Sequence, residues 1–208
     1  MRVARSHHPV VAWRRAQQGE HPDRAALRHF GAWILSEGQR SAARLGFGID
    51  HALGVPACLG EAPDPPTETE RAAGLIGQGK VQASPMAMAA VIASAQAGKT
   101  VVPRLVEQVK VSVPPNATPL APAEAKALKA MLRQVVTEGS GSGLADVPGG
   151  PVIAKTGTAE YADAGTIRTH AWMIAAQGDL AVAVFVETGE SGSQTAGPLL
   201  EEFLRGAR

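Results

Sequence analysis

The stretch Ala154-Lys155-Thr156-Gly157-Thr158-Ala159-Glu160 concentrates residue types that can hold a small anionic ligand. Side chains alternate along an extended strand, so Lys155 and Gly157 point to one side while Thr156 and Thr158 share the other. Lys155 brings positive charge, and the two hydroxyls bring donors suited to a carboxylate. Gly157 removes a side chain where a ligand backbone needs room along the strand. By itself the triplet fits equally well an edge strand with an exposed lysine. Cys58, the single cysteine, rules out an internal disulfide framework or a cysteine-rich zinc site and reads as incidental. His170 and Trp172 read as groups that pack or hydrogen-bond near a sheet, and Glu187 as a structural carboxylate at a strand end.

A strand presenting these residues needs a sheet to hold it. Val152–Thr156 reads as a short strand, and Thr169–Gln177 and Leu180–Glu187 as two stronger ones. The last two join across Gly178-Asp179, a two-residue hairpin signal. Leu180–Val186 is continuously apolar, the pattern of a strand covered on both faces. Ser84 as N-cap and Pro85 at the first helical position start a helix that runs to about Ala97 and closes at Gly98. Pro122–Thr137 predicts another helix, with Leu128, Met131, Leu132, Val135 and Val136 on one face and Gly139 ending it. Helices are also expected over Phe30–Leu45, ending at Gly46-Phe47-Gly48, and over Thr195–Arg205. Pro56–Glu70 reads as a loop and Val101–Val113 as a short extended piece. Gly139-Ser140-Gly141-Ser142-Gly143 reads as a flexible loop or a place of close backbone approach. Three strands with helices packed on them make an α+β fold.

Composition narrows the class without choosing a function. The 208 residues carry 20 Lys+Arg against 19 Asp+Glu, a net charge of +1, which gives no electrostatic case for nucleic acid. With 45% hydrophobic residues the chain is not disordered throughout, and with 4% aromatic its core must be built from Ala, Val, Leu and Met. No stretch approaches the length of a membrane span, and no continuous apolar segment follows the basic start as a signal peptide requires. Residues 1–29 differ from the rest: they are rich in Arg and His, with no sustained periodicity, and read as a solvated, poorly ordered stretch.

Several further motifs stand in order around the triplet. Gly77-Gln78-Gly79 precedes Ala83-Ser84-Pro85-Met86-Ala87-Met88-Ala89; Ala97-Gly98, Val102-Pro103 and Leu105-Val106 follow; His170-Ala171-Trp172 opens the strand after the Lys155 segment. Over Phe30–Leu204 this pattern resembles the transpeptidase domain of penicillin-binding proteins, which carry a Lys-Thr-Gly element with Ser-x-x-Lys and Ser-x-Asn-type elements. The resemblance implies an incomplete penicillin-binding protein/β-lactamase-like fold with an antiparallel sheet of about three remaining strands. It implies that Lys155, Thr156, Gly157 and Thr158 line a cleft, the hydroxyls holding the carboxylate of a D-Ala-D-Ala peptide or a β-lactam. The Thr158 backbone would supply one oxyanion donor. Gln78 and Gly79 read as a structural turn. No cofactor or metal is implied. The partners implied are a peptidoglycan stem peptide or β-lactam and cell-wall synthesis proteins, at the outer face of the plasma membrane. A class A β-lactamase shares the triplet, but no segment matches a deacylating glutamate motif.

The family's nucleophile is a serine activated by a lysine three residues on. None of the ten serines here has Lys at that position, and Pro114 stands two before the only asparagine, Asn116, where a Ser-x-Asn element needs serine. Both elements belong before the Gly-Gln-Gly segment, and the second falls at about Ala25–Leu27, inside the patternless stretch. The expected organisation is therefore residues 1–29 outside the family, from a displaced reading frame, a misassigned start or a gene remnant, and 30–208 the C-terminal part of the domain. The chain is expected to be inactive alone, with a buried-type strand left as an open edge. The alternative is a non-catalytic peptide-binding or scaffold protein of the envelope.

Overall fold

The computed structural model describes residues 10–15, 42–49, 53, 57–63, 70, 73–74, 76–111 and 118–207. The elements in chain order are β1 (Val10–Arg15), α1 (Pro85–Ala97), α2 (Pro122–Thr137), β2 (Val152–Asp163), β3 (Thr166–Gln177), β4 (Leu180–Val186) and α3 (Gly197–Gly206). Most of the helix expected over Phe30–Leu45 lies outside the described residues.

The sheet has the order β1-β4-β3-β2, with β2, β3 and β4 antiparallel. The apolar run of β4 alternates between two cores. Ala181, Ala183 and Phe185 join Trp172 and Ile174 of β3 beneath α1, while Val182, Val184 and Val186 join Met173, Leu200 and Leu204 beneath α3. A strand covered on both faces has no need of a polar side, which is why its pattern is continuous. Helix α1 is buried from Ala87 to Ala95, and its alanines let the sheet approach closely. Its start is as expected: the Ser84 hydroxyl accepts from Ala87 N and donates to Cys58 O, and Gly98 ends it at φ 67°.

Helix α2 straddles the β2 side of the sheet, with Leu132 in the core under α1 and Val136 in the core under α3. Met131, placed by its spacing on the same face, is 48% exposed. The glycines after α2 do approach backbone closely: a Cβ on Gly139 or Gly141 would stand 3.0 or 3.1 Å from Val135 O. The segment 101–111 forms turns and irregular chain with no strand pairing; Pro103 cannot donate to a ladder, which suits this outcome.

Three features differ from expectation. Strand β2 runs to Asp163, seven residues past Thr156, because its second half pairs with the start of β3 in a ribbon that extends beyond Val186, the end of β4. Ala164 (φ 47°) and Gly165 (φ 84°) make its tight turn, and alanine gave no turn signal there. A π-helical turn, Gly192–Ala196, leads into α3. Finally, β1 falls in the stretch that lacked periodicity and pairs in parallel with β4, from Val10↔Leu180 to Arg15↔Phe185. The buried-type strand is therefore not an open edge. A short strand can be selected by the ladder of a buried neighbour without any alternation of its own.

Candidate functional site

Strand β2 is an edge strand of the described sheet, bonded to β3 on one side only. In an antiparallel pair, every second residue turns both N–H and C=O away from its partner. The acceptors fix which residues these are: Val152 O takes a bond from Arg133 Nη1 (2.8 Å), Thr156 O from Lys155 Nζ (2.7 Å) and Thr158 O from Gln78 Nε2 (3.4 Å). The even-numbered residues thus present their backbone to the open edge, and the N–H of Thr158 is among those groups. Arg133 of α2 caps the Val152 end, and Thr156 and Thr158 are outward residues of the Lys155–Thr158 element beyond it.

Side chains fall as the alternation requires. Lys155 pairs across with Ile174 and Gly157 with Trp172, on the α1 face; Thr156 pairs with Met173 and Thr158 with Ala171, on the α3 face. Lys155 nevertheless curls round to the edge, placing its ammonium on Thr156 O. Burial disfavours its charged form and lowers its pKa from the ordinary value. Thr156 Oγ1 lies 2.7 Å from Ser140 Oγ, in the Gly-rich loop after α2. Thr158 Oγ1 accepts from Gly192 N at 3.2 Å. A hydroxyl that accepts in this way keeps its own hydrogen to donate, and the Ser140–Thr156 pair likewise keeps one. Two hydroxyl donors and one ammonium therefore converge on a stretch of four residues.

The backbone is packed to match. A Cβ on Gly192 would stand 2.7 Å from Gly157 O and 2.8 Å from Gly157 N, so the π-helical turn sits directly against the strand at the triplet. The turn before α1 reaches the same place, with Gly77 (φ 70°) and Gly79 (φ 77°) both left-handed around Gln78. Gln78, read from sequence as part of a structural turn, is brought to the edge of β2. Ser140 and Gly192 had no individual signal beyond lying in Gly/Ser-rich stretches.

His170 and Trp172 are buried, as expected for packing residues. His170 Nδ1 bonds Glu187 O at 2.5 Å, and its ring stacks on Tyr161 at 3.9 Å; Trp172 lies against Phe185 at 4.5 Å. Cys58 is exposed. Among the described residues no cluster of His, Cys, Asp and Glu is arranged to hold a metal, and no helix is long and apolar enough to cross a membrane.

Residues 35–205 match the family described as the penicillin binding protein transpeptidase domain. The chain belongs to that family. Its fold agrees: PBP2 of Pseudomonas aeruginosa, solved in complex with WCK 5153, is 27% identical at a TM-score of 0.63, with 80% of this chain covering 42% of that one. A component of a peptidoglycan synthase complex is 28% identical at a TM-score of 0.65, over 81% of this chain and 33% of that one. PBPA of Mycobacterium tuberculosis is 25% identical at 0.61, over 81% and 42%. The chain thus spans less than half the length of these relatives. No curated protein sequence matches it.

Proposed function

We propose that this chain forms the Lys-Thr-Gly wall of a penicillin-binding cleft in peptidoglycan cross-linking and binds the acyl-D-Ala-D-Ala end of a stem peptide, or a β-lactam, without acylating it. The observation that carries this reading is the open edge of β2, where the Lys155 ammonium and the Thr156 and Thr158 hydroxyls converge beside outward backbone groups. A ligand strand along that edge is held by backbone bonds, as in strand addition. Its terminal carboxylate takes the ammonium and the hydroxyl hydrogens. The Thr158 N–H serves as one oxyanion donor for a carbonyl placed there. No Ser-x-x-Lys stands among the 208 residues to form an ester with that carbonyl. Residues 1–29 stand outside the family on this reading, and the site belongs to the envelope face where stem peptides are cross-linked. The synthase complex among the relatives supports cell-wall synthesis proteins as partners.

Two measurements test it. Incubation with a fluorescent penicillin followed by denaturing electrophoresis is expected to leave no covalent band; a serine-dependent band overturns the non-acylating reading. Titration with an N-acyl-D-Ala-D-Ala peptide is expected to give reversible binding, weakened about tenfold by Thr156→Val, the scale of a lost hydrogen bond to a charged group. Binding that ignores Thr156 would place the ligand elsewhere.

A further inference from the structure

Three of the outward carbonyls of β2 are capped by side chains, and they are not equally held. Arg133 and Lys155 cap Val152 O and Thr156 O at 2.8 and 2.7 Å in partly buried surroundings. Gln78 caps Thr158 O at 3.4 Å, and that bond is exposed. A neutral, long and solvated hydrogen bond is far weaker than a short charge-assisted one. Of the three caps, only that of Gln78 yields easily. We propose that Gln78 is a latch that a ligand must displace: its amide occupies Thr158 O in the ligand-free chain and releases it to the backbone N–H of a strand adding along β2. This rests on the cleft reading above.

The geometry of antiparallel pairing makes the competition specific. A ligand residue whose carbonyl accepts from Thr158 N–H sits opposite Thr158 as a hydrogen-bonded pair, so its own N–H must donate to Thr158 O. Gln78 Nε2 and that ligand N–H want the same acceptor. The left-handed glycines on either side fix the height of the turn from which the side chain reaches across. The amide itself is free to swing out, because its residue is only half-buried. Gln78 therefore sets how strongly the site favours ligands bearing that N–H, and it is a specificity-determining residue rather than a catalytic one.

Titrating the full chain and its Gln78→Ala form with two ligands tests this by calorimetry or amide NMR. One ligand is an N-acyl-D-Ala-D-Ala peptide; the other is its depsipeptide, in which an ester oxygen replaces the N–H of the penultimate residue. Gln78→Ala is expected to bind the amide ligand roughly two- to threefold tighter, the low end for one neutral hydrogen bond, because this one is long and exposed. The depsipeptide is expected to bind both forms equally. Measurable amide-peptide binding of the same strength in both forms, or weaker binding to Gln78→Ala, overturns the latch alone. A depsipeptide gain equal to the amide gain overturns it too, since the side chain would then act only by bulk. No binding of either ligand to either form overturns the cleft reading and the latch with it.

Discussion

Lys155 leaves the α1-facing side of β2 yet delivers its ammonium to the strand's open edge, and the half-burial needed for that route lowers its pKa. Between this lowered value and its ordinary 10.5, the unfolded chain binds more protons than the folded one. Stability is then expected to rise as pH is raised through the folded pKa, the cost being fully present below it. Urea midpoints measured from pH 7 to 10 are expected to climb in the native chain relative to Lys155→Met, which lacks the group. Parallel slopes would mean that the ammonium is as well solvated folded as unfolded. The triplet itself was legible in sequence, down to which side chains share a face, because period-two alternation follows from the backbone alone. The partners were not: Ser140 lies 16 residues before Thr156 in sequence, Gly192 34 after Thr158, and Gln78 80 before it. Only folding makes them neighbours.

At the scale of elements, helix α1, helix α2 and the β3–β4 hairpin stand where local signals placed them, since Ser84, Pro85 and Gly98 act on α1, Pro122 on α2 and Gly178 on the hairpin. The π-helical turn before α3 is a different case. It forms where backbone meets backbone at Gly192 and Gly157, and neither atom set can move aside as a flexible side chain would. Gly192→Ala is expected to cost about 1–3 kcal/mol, the range for overpacking a filled site. It is also expected to weaken peptide binding by loosening Thr158, whose hydroxyl the Gly192 N–H holds. Urea denaturation reads the first effect and titration the second. Full stability in the variant would show that the turn can lift off the strand freely. The extension of β2 to Asp163 escaped a local reading for a similar reason. Its outer half is a two-stranded ribbon whose partner begins only at Thr166, and its turn carries alanine at positive φ.

Across the whole molecule, the sheet is closed on the β4 side by β1, which pairs in parallel although every other neighbour pair is antiparallel. Parallel pairing is slightly weaker per residue, and here it shields the edge of a fully apolar strand. Removing residues 1–16 is expected to bare that edge and produce concentration-dependent self-association in sedimentation or gel filtration; a truncated chain that stays monomeric would assign the protection elsewhere. The sequence by itself determined the α+β class, the helix limits near α1 and α2, the two-sided burial of β4 and the Lys155–Thr158 element. Each of these depends on the chemistry of residues a few positions apart. The tertiary structure alone decided that β2 is the open edge, that three of its outward carbonyls are capped by Arg133, Lys155 and Gln78, and that an unpatterned segment closes the far side. These depend on which strands become neighbours, and strand order is fixed by packing against α1, α2 and α3, not by any local run of residues.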